Sequence, residues 1–488
     1  MYKLHILPNN ITKKTKPGTL LMEALIEENI FLDAPCGGNG KCGKCKVLLN
    51  GQEVLACQIT VDADMTVTIP DKAGLNVLQT GISVQQKMAP LRAGYLLAFD
   101  IGTTSVVCFL LDGKSGAELS KSSMLNPQAS FGADVISRIQ AALRGDLEQE
   151  TKVIRDGMTS LIAQVCRDAK IDPSEIGVVS IVGNPAMQQL FLGISPKNLA
   201  GVPFAPVLTE AKTIFCRDIL PICVNAVLLV IPDISGYIGA DTMGCVLSTQ
   251  MYQKEEITLM VDIGTNGEMV LGNKDKMIAC STAAGPALEG ANIRFGMRGA
   301  DGAIDHVWLV NNEVKCSVIG GGDAKGICGS GLIDAIAVGL EMGLLNKRGR
   351  ILNEDHIFNI TENIYLTQDD IRQVQLAKGA IYAGILLMAK QLGLEIQDIQ
   401  KVQLAGAFGN YLSPKSACCI GLLPEELLEK IEAVGNAAGS GAKMLACDRD
   451  LLSLTQKLAE KIEFLELASL PEFPKTFAKS MNFREVIQ

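Results

Sequence analysis

A chain of 488 residues exceeds the roughly 250–300 residues at which a single hydrophobic core stops growing, so several domains are expected. Its 48% hydrophobic and 20% charged residues exclude disorder over any large fraction; a net charge of −9, with no block of like charges, excludes a general field for nucleic acid or an anionic membrane. The start MYKLHILPNN lacks the apolar run of a signal peptide, and no stretch approaches the ~18 apolar residues of a membrane span. A cytoplasmic location is expected. In that reducing compartment, fifteen cysteines, an odd count, should be metal ligands or free thiols.

In chain order, YKLHIL alternates as a strand, a second strand ends at Gly18, and Leu21, Ala24, Leu25 and Ile30 recur at helical spacing, with Thr19 and Glu23 marking the helix start. APCGGNGKCGKCKV follows. Cys36, Cys42, Cys45 and Cys57 crowd into 22 residues as C-x5-C-x2-C-x11-C, whereas the other eleven sit in contexts such as SVVCFLL and behave as small hydrophobes. Plant-type 2Fe-2S ferredoxins carry C-x4-C-x2-C and a later fourth ligand, a loop one residue shorter. Gly37, Gly38, Gly40 and Gly43 let backbone N–H groups approach the sulfurs. A structural zinc site also needs four cysteines, but usually pairs them as C-x2-C at both ends. An Asn50-Gly51 hairpin and the strand MTVTIP complete a β-grasp ferredoxin module over 1–71, with 72–94 as linker. Lys41, Lys44 and Lys46 form a solvated rim or a docking edge for an acidic electron donor.

LLAFDIGTTSVVCFLLDG at 96–113 and TLMVDIGTNGEMVLGN at 258–273 are an internal repeat: an apolar strand, a terminal aspartate, a tight turn and a second strand. A phosphate-cradling turn needs small residues whose N–H groups and hydroxyls face the oxygens, and a carboxylate to hold Mg²⁺ through water. Asp100, Gly102, Thr103, Thr104 and Ser105 meet this in the first copy; Asp262, Gly264, Thr265, Asn266 and Gly267 meet it in the second. The pair resembles the actin, sugar-kinase and heat-shock chaperone superfamily, which implies two ribonuclease-H-like halves (95–256 and 257–465), an α/β architecture, and ATP in the cleft. VQLAGAFGNYL resembles that superfamily's adenosine motif, with Gly406, Phe408, Gly409 and Asn410, and GNAAGSGAKMLA its connecting helix. LTQDDIRQVQLAKGAIYAGILLMAKQLG predicts an amphipathic helix with an acidic first turn. IGGGDAKGICGSGL reads either as a loop feeding a helix N-terminus or as a close backbone crossing.

Together with GNPAMQQLFLG, VPFAP, GYIGAD, STAAGPALEGANIRFGMRGADGAI and CGSGLIDAI, these motifs are similar to the reductive activators of corrinoid-dependent enzymes. That resemblance implies an ATP-hydrolysing electron-transfer activator. Its 2Fe-2S cluster would return one electron to the Co(II) corrinoid of a methyltransferase-system protein, restoring Co(I). A low-potential ferredoxin or flavodoxin would supply that electron. Cys36, Cys42, Cys45 and Cys57 would hold the cluster; Asp100, Asp262 and Glu268 are the candidate catalytic carboxylates, with ATP and Mg²⁺ at the two turns. The alternatives are a small-molecule kinase with a fused ferredoxin, using Glu268 or Asp241 as base, and an ATP-gated donor to another low-potential enzyme, such as a dehydratase. A non-enzymatic redox-sensing adaptor is a further one. Ser281-Thr282 reads as a buried loop or as a face toward the corrin. His5, His306 and His356 do not cluster, Trp308 is expected to pack on a sheet, and 466–488 reads as a docking or loosely ordered tail.

Overall fold

The computed structural model describes residues 1–8, 10–28, 30, 32, 40, 45–69, 80–81 and 94–484. The chain divides into two compact units, one holding residues 1–72, 90–208 and 213–228, the other the remainder.

The N-terminal module is a five-stranded sheet in the order Ile11–Thr15, Tyr2–Leu7, Met65–Thr68, Lys46–Leu49, Gln52–Leu55. Tyr2–Leu7 pairs antiparallel with Ile11–Thr15 and parallel with Met65–Thr68, the β-grasp arrangement. Alternation along Tyr2–Leu7 sends Leu4 and Ile6 inward, where they meet Leu21, Leu25, Val47 and Val67 in one core. Asn50 and Gly51 both have positive φ, as a two-residue hairpin twisted with its strands requires. The helix is shorter than the periodicity predicts, Leu21–Ile26, and Thr19 does not cap it. Thr19 and Leu20 instead pair with Val61 and Thr60, and the Leu21 amide donates to the Ile59 carbonyl, so ladder bonding takes the backbone that a cap would have used.

Two six-stranded sheets carry the rest. The first runs Glu118–Leu125, Ser105–Asp112, Tyr95–Ile101, Ile176–Gly183, Val227–Val230, Lys212–Phe215. The second runs Ile431–Gly435, Lys401–Ala405, Thr258–Ile263, Gly267–Gly272, Met277–Thr282, Glu463–Phe464. In each, an antiparallel hairpin opens the sheet, a third strand flanks its second arm, and a later strand returns parallel to its first arm. This shared order of third, second, first and returning strand is the duplicated ribonuclease-H-like core, while the short strands Lys212–Phe215 and Glu463–Phe464 extend the two sheets at opposite edges. Its opening strands are near-continuous buried apolar runs, and helices pack on the sheets, Leu147–Ala169 on the first and Gln368–Gln391 on the second.

Gln368–Gln391 begins at a capping box in which the Thr367 hydroxyl accepts from the Asp370 amide and the Asp370 carboxylate accepts from the Thr367 amide at 2.8 Å. The C-terminal segment packs on this helix rather than lying loose. Phe473–Ser480 is helical, Phe483 is buried, and the buried Lys378 ammonium donates to the Asn482 carbonyl and stands 5.2 Å over the Phe483 ring. Burial, with the nearby Arg484 charge, pushes the Lys378 pKa down to about 7. Trp308 is 43% exposed, contrary to expectation, because alternation along Ala303–Val310 turns Val307 inward and Trp308 outward. Of the predicted linker, Thr80 and Gly81 are described: the Thr80 carbonyl accepts from the Asn436 amide at 2.8 Å and Gly81 bridges Gly435. Among the described residues, no helix is long and apolar enough to cross a membrane.

Candidate functional site

Cys36 and Cys42 lie outside the described residues; Cys45 and Cys57 are placed. Cys45 precedes the strand Lys46–Leu49, and Cys57 sits in the single turn Ala56–Gln58 that follows its hairpin partner. The hairpin brings their sulfurs to 3.2 Å without a disulfide, with Cys45 1% and Cys57 7% exposed. Burial pushes the Cys45 thiol up, and the adjoining Cys57 sulfur adds to it. Two thiolates this close and this dry need a cation between them, which a metal centre supplies and a protein core does not. The pair therefore fits half of a four-cysteine ligand set. Gly40 has φ +70°, and a Cβ there would strike the Gln58 side chain, so Gly40 lies tightly against the residue after Cys57. Lys46 is paired with Glu53 at 2.7 Å on the solvent side; Lys41 and Lys44 lie outside the described residues.

The first turn, Gly102 to Thr104, joins Tyr95–Ile101 to Ser105–Asp112, and the Gly102 amide closes it on the Ser105 carbonyl at 2.9 Å. Its carbonyls are taken from behind. The Asn126 side-chain amide donates to the Gly102 carbonyl at 2.8 Å, the Arg138 guanidinium to the Thr103 carbonyl at 2.6 Å, and the Asn126 backbone amide to the Thr104 carbonyl at 2.9 Å. Arg138 is 1% exposed; its Nε donates to the Gly132 carbonyl at 3.0 Å and its Nη1 lies 3.2 Å from the Met187 sulfur. A turn whose carbonyl oxygens face protein donors presents fewer negative ends to an incoming phosphate. Thr103 Oγ1 accepts from the Asn184 side-chain amide at 3.0 Å. Asp100 ends its strand in register with Val107 and Val182.

The second turn differs. Register places Asp262, Glu268 and Ser281 in one row across three strands, with Ala405 on the far side of Asp262. Asp241, in the first turn of the helix Ala240–Thr249, acts on the same row. Burial pushes the Glu268 carboxyl well above its ordinary range, and the charges of Asp241 and then Asp262 raise it further. Burial likewise carries Asp241 up to about 6, against hydrogen bonds from backbone amides, including that of Thr242, that lower it. The Cys245 thiol lies 4.0 Å from Asp262, and Thr265 donates to Glu289 at 2.8 Å. Where the second copy has Glu268 opposite Asp262, the first has Val107 opposite Asp100. The repeat is equal in backbone and unequal in charge. Ser281 faces this row rather than a loop, and the buried Thr282 donates to the Gly267 carbonyl at 3.3 Å.

The strand Lys401–Ala405 runs into the helix Gly406–Tyr411 at Gly406, whose φ is +80°. A Cβ there would run into Asp262 Oδ1, so glycine is required both for the turn and for the carboxylate beside it. Gly409 is buried against Leu404, Phe408 is half-buried with its ring at Gly329, and Asn410 is exposed. Gly329 and Gly331 start the helix Gly329–Glu341 where the Leu288 and Ile304 carbonyls pass closest, so this stretch is a backbone crossing. We expect Gly406→Ala to weaken ATP binding roughly 10-fold or more, since a strained left-handed residue costs about 1–3 kcal/mol and its methyl displaces Asp262. Calorimetric titration of the full chain checks this; wild-type affinity would remove Gly406 from the site.

Residue types alone do not reveal Asn126, Arg138, Met187, Cys245 or Glu289. Asn184-Pro185 at the end of an apolar run did carry a signal, that of a helix N-cap followed by proline. His306 lies 2.9 Å from Asp334, away from both turns in the sequence and in the sheet order.

Three family descriptions match the chain: the 2Fe-2S iron-sulfur cluster binding domain over residues 4–65, the RACo middle region over 95–254, and the C-terminal domain of RACo, the ASKHA domain, over 256–487. The corrinoid activation enzyme RamQ of Eubacterium limosum is 38% identical over 418 residues, covering 80% of this chain and 70% of that one. The Co(II) methylated amine-specific corrinoid protein reductase of Methanosarcina barkeri is 28% identical over 428 residues, covering 80% and 77%. The solved structure of a reductive activator for corrinoid, iron-sulfur protein superposes with a TM-score of 0.74 at 28% identity, over 99% of this chain and 98% of that one. A ferredoxin-type thiol pair, two phosphate-type turns and these matches along the whole length agree: the chain belongs to the family of reductive activators of corrinoid proteins, with a 2Fe-2S module ahead of an ATP-binding actin-like core.

Proposed function

We propose that the chain returns one electron to the Co(II) corrinoid of a methyltransferase-system protein, restoring Co(I), with ATP binding and hydrolysis at the two turns making the transfer feasible. The carrying observation is that one polypeptide joins the buried Cys45 and Cys57 pair to a duplicated fold bearing both DIGT turns. Held by these two cysteines with Cys36 and Cys42, a 2Fe-2S cluster supplies a one-electron store near about −400 mV. The corrinoid couple is expected to lie lower, and each 100 mV of shortfall costs about 2.3 kcal/mol per electron. Nucleotide can offset this only through different affinities for two states of the chain and its partner.

On the chain's side, Thr103, Thr104 and Ser105 and the carbonyl-free face of the first turn receive phosphate. Asp262, beside Gly406, would hold Mg²⁺ through water, with Asp100 as its first-copy counterpart. Gly406, Phe408, Gly409 and Asn410 approach the adenosine. Burial and the neighbouring Asp241 and Asp262 charges raise the Glu268 carboxyl, which favours its protonated form as a hydrogen-bond donor over a role as base. A low-potential ferredoxin or flavodoxin in the cytoplasm reloads the module.

The test is an anaerobic reduction of a Co(II) corrinoid protein by the full chain under a low-potential donor, followed through the Co(I) absorbance. We expect Co(I) to accumulate with MgATP, and to fall at least ~10-fold without it. Equal rates with and without nucleotide would sink the coupling.

A further inference from the structure

The two threonines that begin the phosphate turns hold their hydroxyl protons in opposite directions. Asn184 caps the helix Pro185–Leu192: its Oδ1 accepts from the Met187 amide at 3.0 Å. That bond fixes which end of the Asn184 amide is which, so the group at 3.0 Å from Thr103 Oγ1 is the Nδ2 amino group, a donor. With an Oγ1 lone pair occupied from behind, the Thr103 proton is left to point elsewhere. In the second copy Thr265 gives its proton to Glu289 at 2.8 Å and keeps only lone pairs to offer.

We propose that Asn184 is a positioning residue that makes the Thr103 hydroxyl a hydrogen-bond donor aimed at an ionised phosphate oxygen of the nucleotide, while Thr265 is held as an acceptor. The inference rests on the reading of the first turn as a phosphate site. It gives the stretch GNPAMQQLFLG a role at the back of the first turn. The strand Ile176–Gly183 runs in register with Tyr95–Ile101, Gly183 beside Ile101, and so delivers Asn184 to the back of the turn. A side chain on Gly183 would press within 2.8 Å of the Ile101 carbonyl, so glycine permits that approach. Met187, one turn into the helix, meets Asn126 at 3.5 Å and Arg138 at 3.2 Å, the residues that hold the Gly102 and Thr103 carbonyls. A fully ionised phosphate oxygen offers only lone pairs, so a donor turn prefers it over a protonated one.

The test uses the full chain, with ADP and ATP affinities from calorimetry and unfolding followed in parallel. Asn184→Ser keeps the helix cap and removes the donor to Thr103; affinity should fall roughly 3- to 10-fold, the worth of one hydrogen bond, with unfolding unchanged. Asn184→Asp also keeps the cap but accepts the Thr103 proton and adds a negative charge; the loss should exceed about 30-fold. In a Thr103→Ala background, Asn184→Ser should cost nothing further. If Thr103→Ala itself leaves affinity unchanged, the phosphate reading of the turn fails and the inference with it. If Thr103→Ala weakens binding while Asn184→Ser does not, or if Asn184→Ser costs as much in the Thr103→Ala background as in the wild type, the assignment to Asn184 is overturned.

Discussion

Replacing Cys45 or Cys57 by serine is expected to yield a folded chain with almost no iron, and corrinoid reduction lowered roughly 10³-fold or more, since losing even a hydrogen-bond partner of a metal ligand costs about 10–100-fold. Serine is a hard oxygen donor that stays protonated at neutral pH, and it replaces a soft thiolate in a buried pair. Both cysteines belong to the hydrophobic core of the module, with Leu4, Leu25, Val47 and Val67, so the vacated position is a dry one. Nucleotide binding should persist, because the two turns are built on other sheets. Cys223→Ser, half-buried and remote in sequence, is the control and should keep two irons per chain. Iron assay, the visible spectrum of the reduced protein and ATP titration together read the result. A serine variant at Cys57 that retains both irons would break the ligand assignment.

The second large effect lies behind the first turn. Glu150, on the helix Leu147–Ala169, is 0% exposed, and neither carboxylate oxygen makes a well-formed hydrogen bond, although the Ala142 backbone amide acts on it weakly. Burial pushes its pKa up to about 8; the Arg138 and Arg144 charges pull it down and Asp146 pushes it up. The folded chain thus holds a proton that the unfolded chain releases near 4.5. Its contribution is most favourable below that pH and is lost as pH rises through about 8, at about 1.4 kcal/mol per unit, so about 3–5 kcal/mol in all. Glu150→Gln matches the neutral acid in shape and does not titrate. Its stability relative to wild type should therefore climb between pH 5 and 8 and level off above. Denaturant unfolding at four or five pH values measures this, and parallel curves for the two proteins would refute it. Glu150→Gln adds no negative charge near Arg138, which donates to the Gly132 and Thr103 carbonyls, so above pH 8 the variant should keep the nucleotide affinity seen at neutral pH while the wild type loses some.

Much of the fold was legible because its signals are local. Asn50-Gly51 demanded two positive φ values, Thr367 and Asp370 form a capping box three residues apart, and each DIGT stretch carries its own strand, turn and strand. Thr19 misled because a helix-start pattern cannot see that Thr60 and Val61 will pair with it. Trp308 misled because an apolar residue on a strand does not announce which face is inward. The C-terminal segment, with two prolines and no period, showed nothing of the Lys378 and Phe483 contacts that order it.

Residue types and spacing, by themselves, determined the ferredoxin-type module, the duplicated hairpins and the glycines at the turns, since covalent geometry and short-range hydrogen bonding decide those within a dozen residues. Tertiary structure alone decided the chemistry of the repeat: which threonine donates, which carboxyl is pushed upward, and which carbonyls are hidden. Those depend on groups brought from far along the chain, Arg138 and Asn184 reaching Thr103 across 35 and 81 positions and Asp241 acting on Glu268 from a separate helix. Proton position follows from partner and desolvation, and both are properties of the folded neighbourhood rather than of the segment.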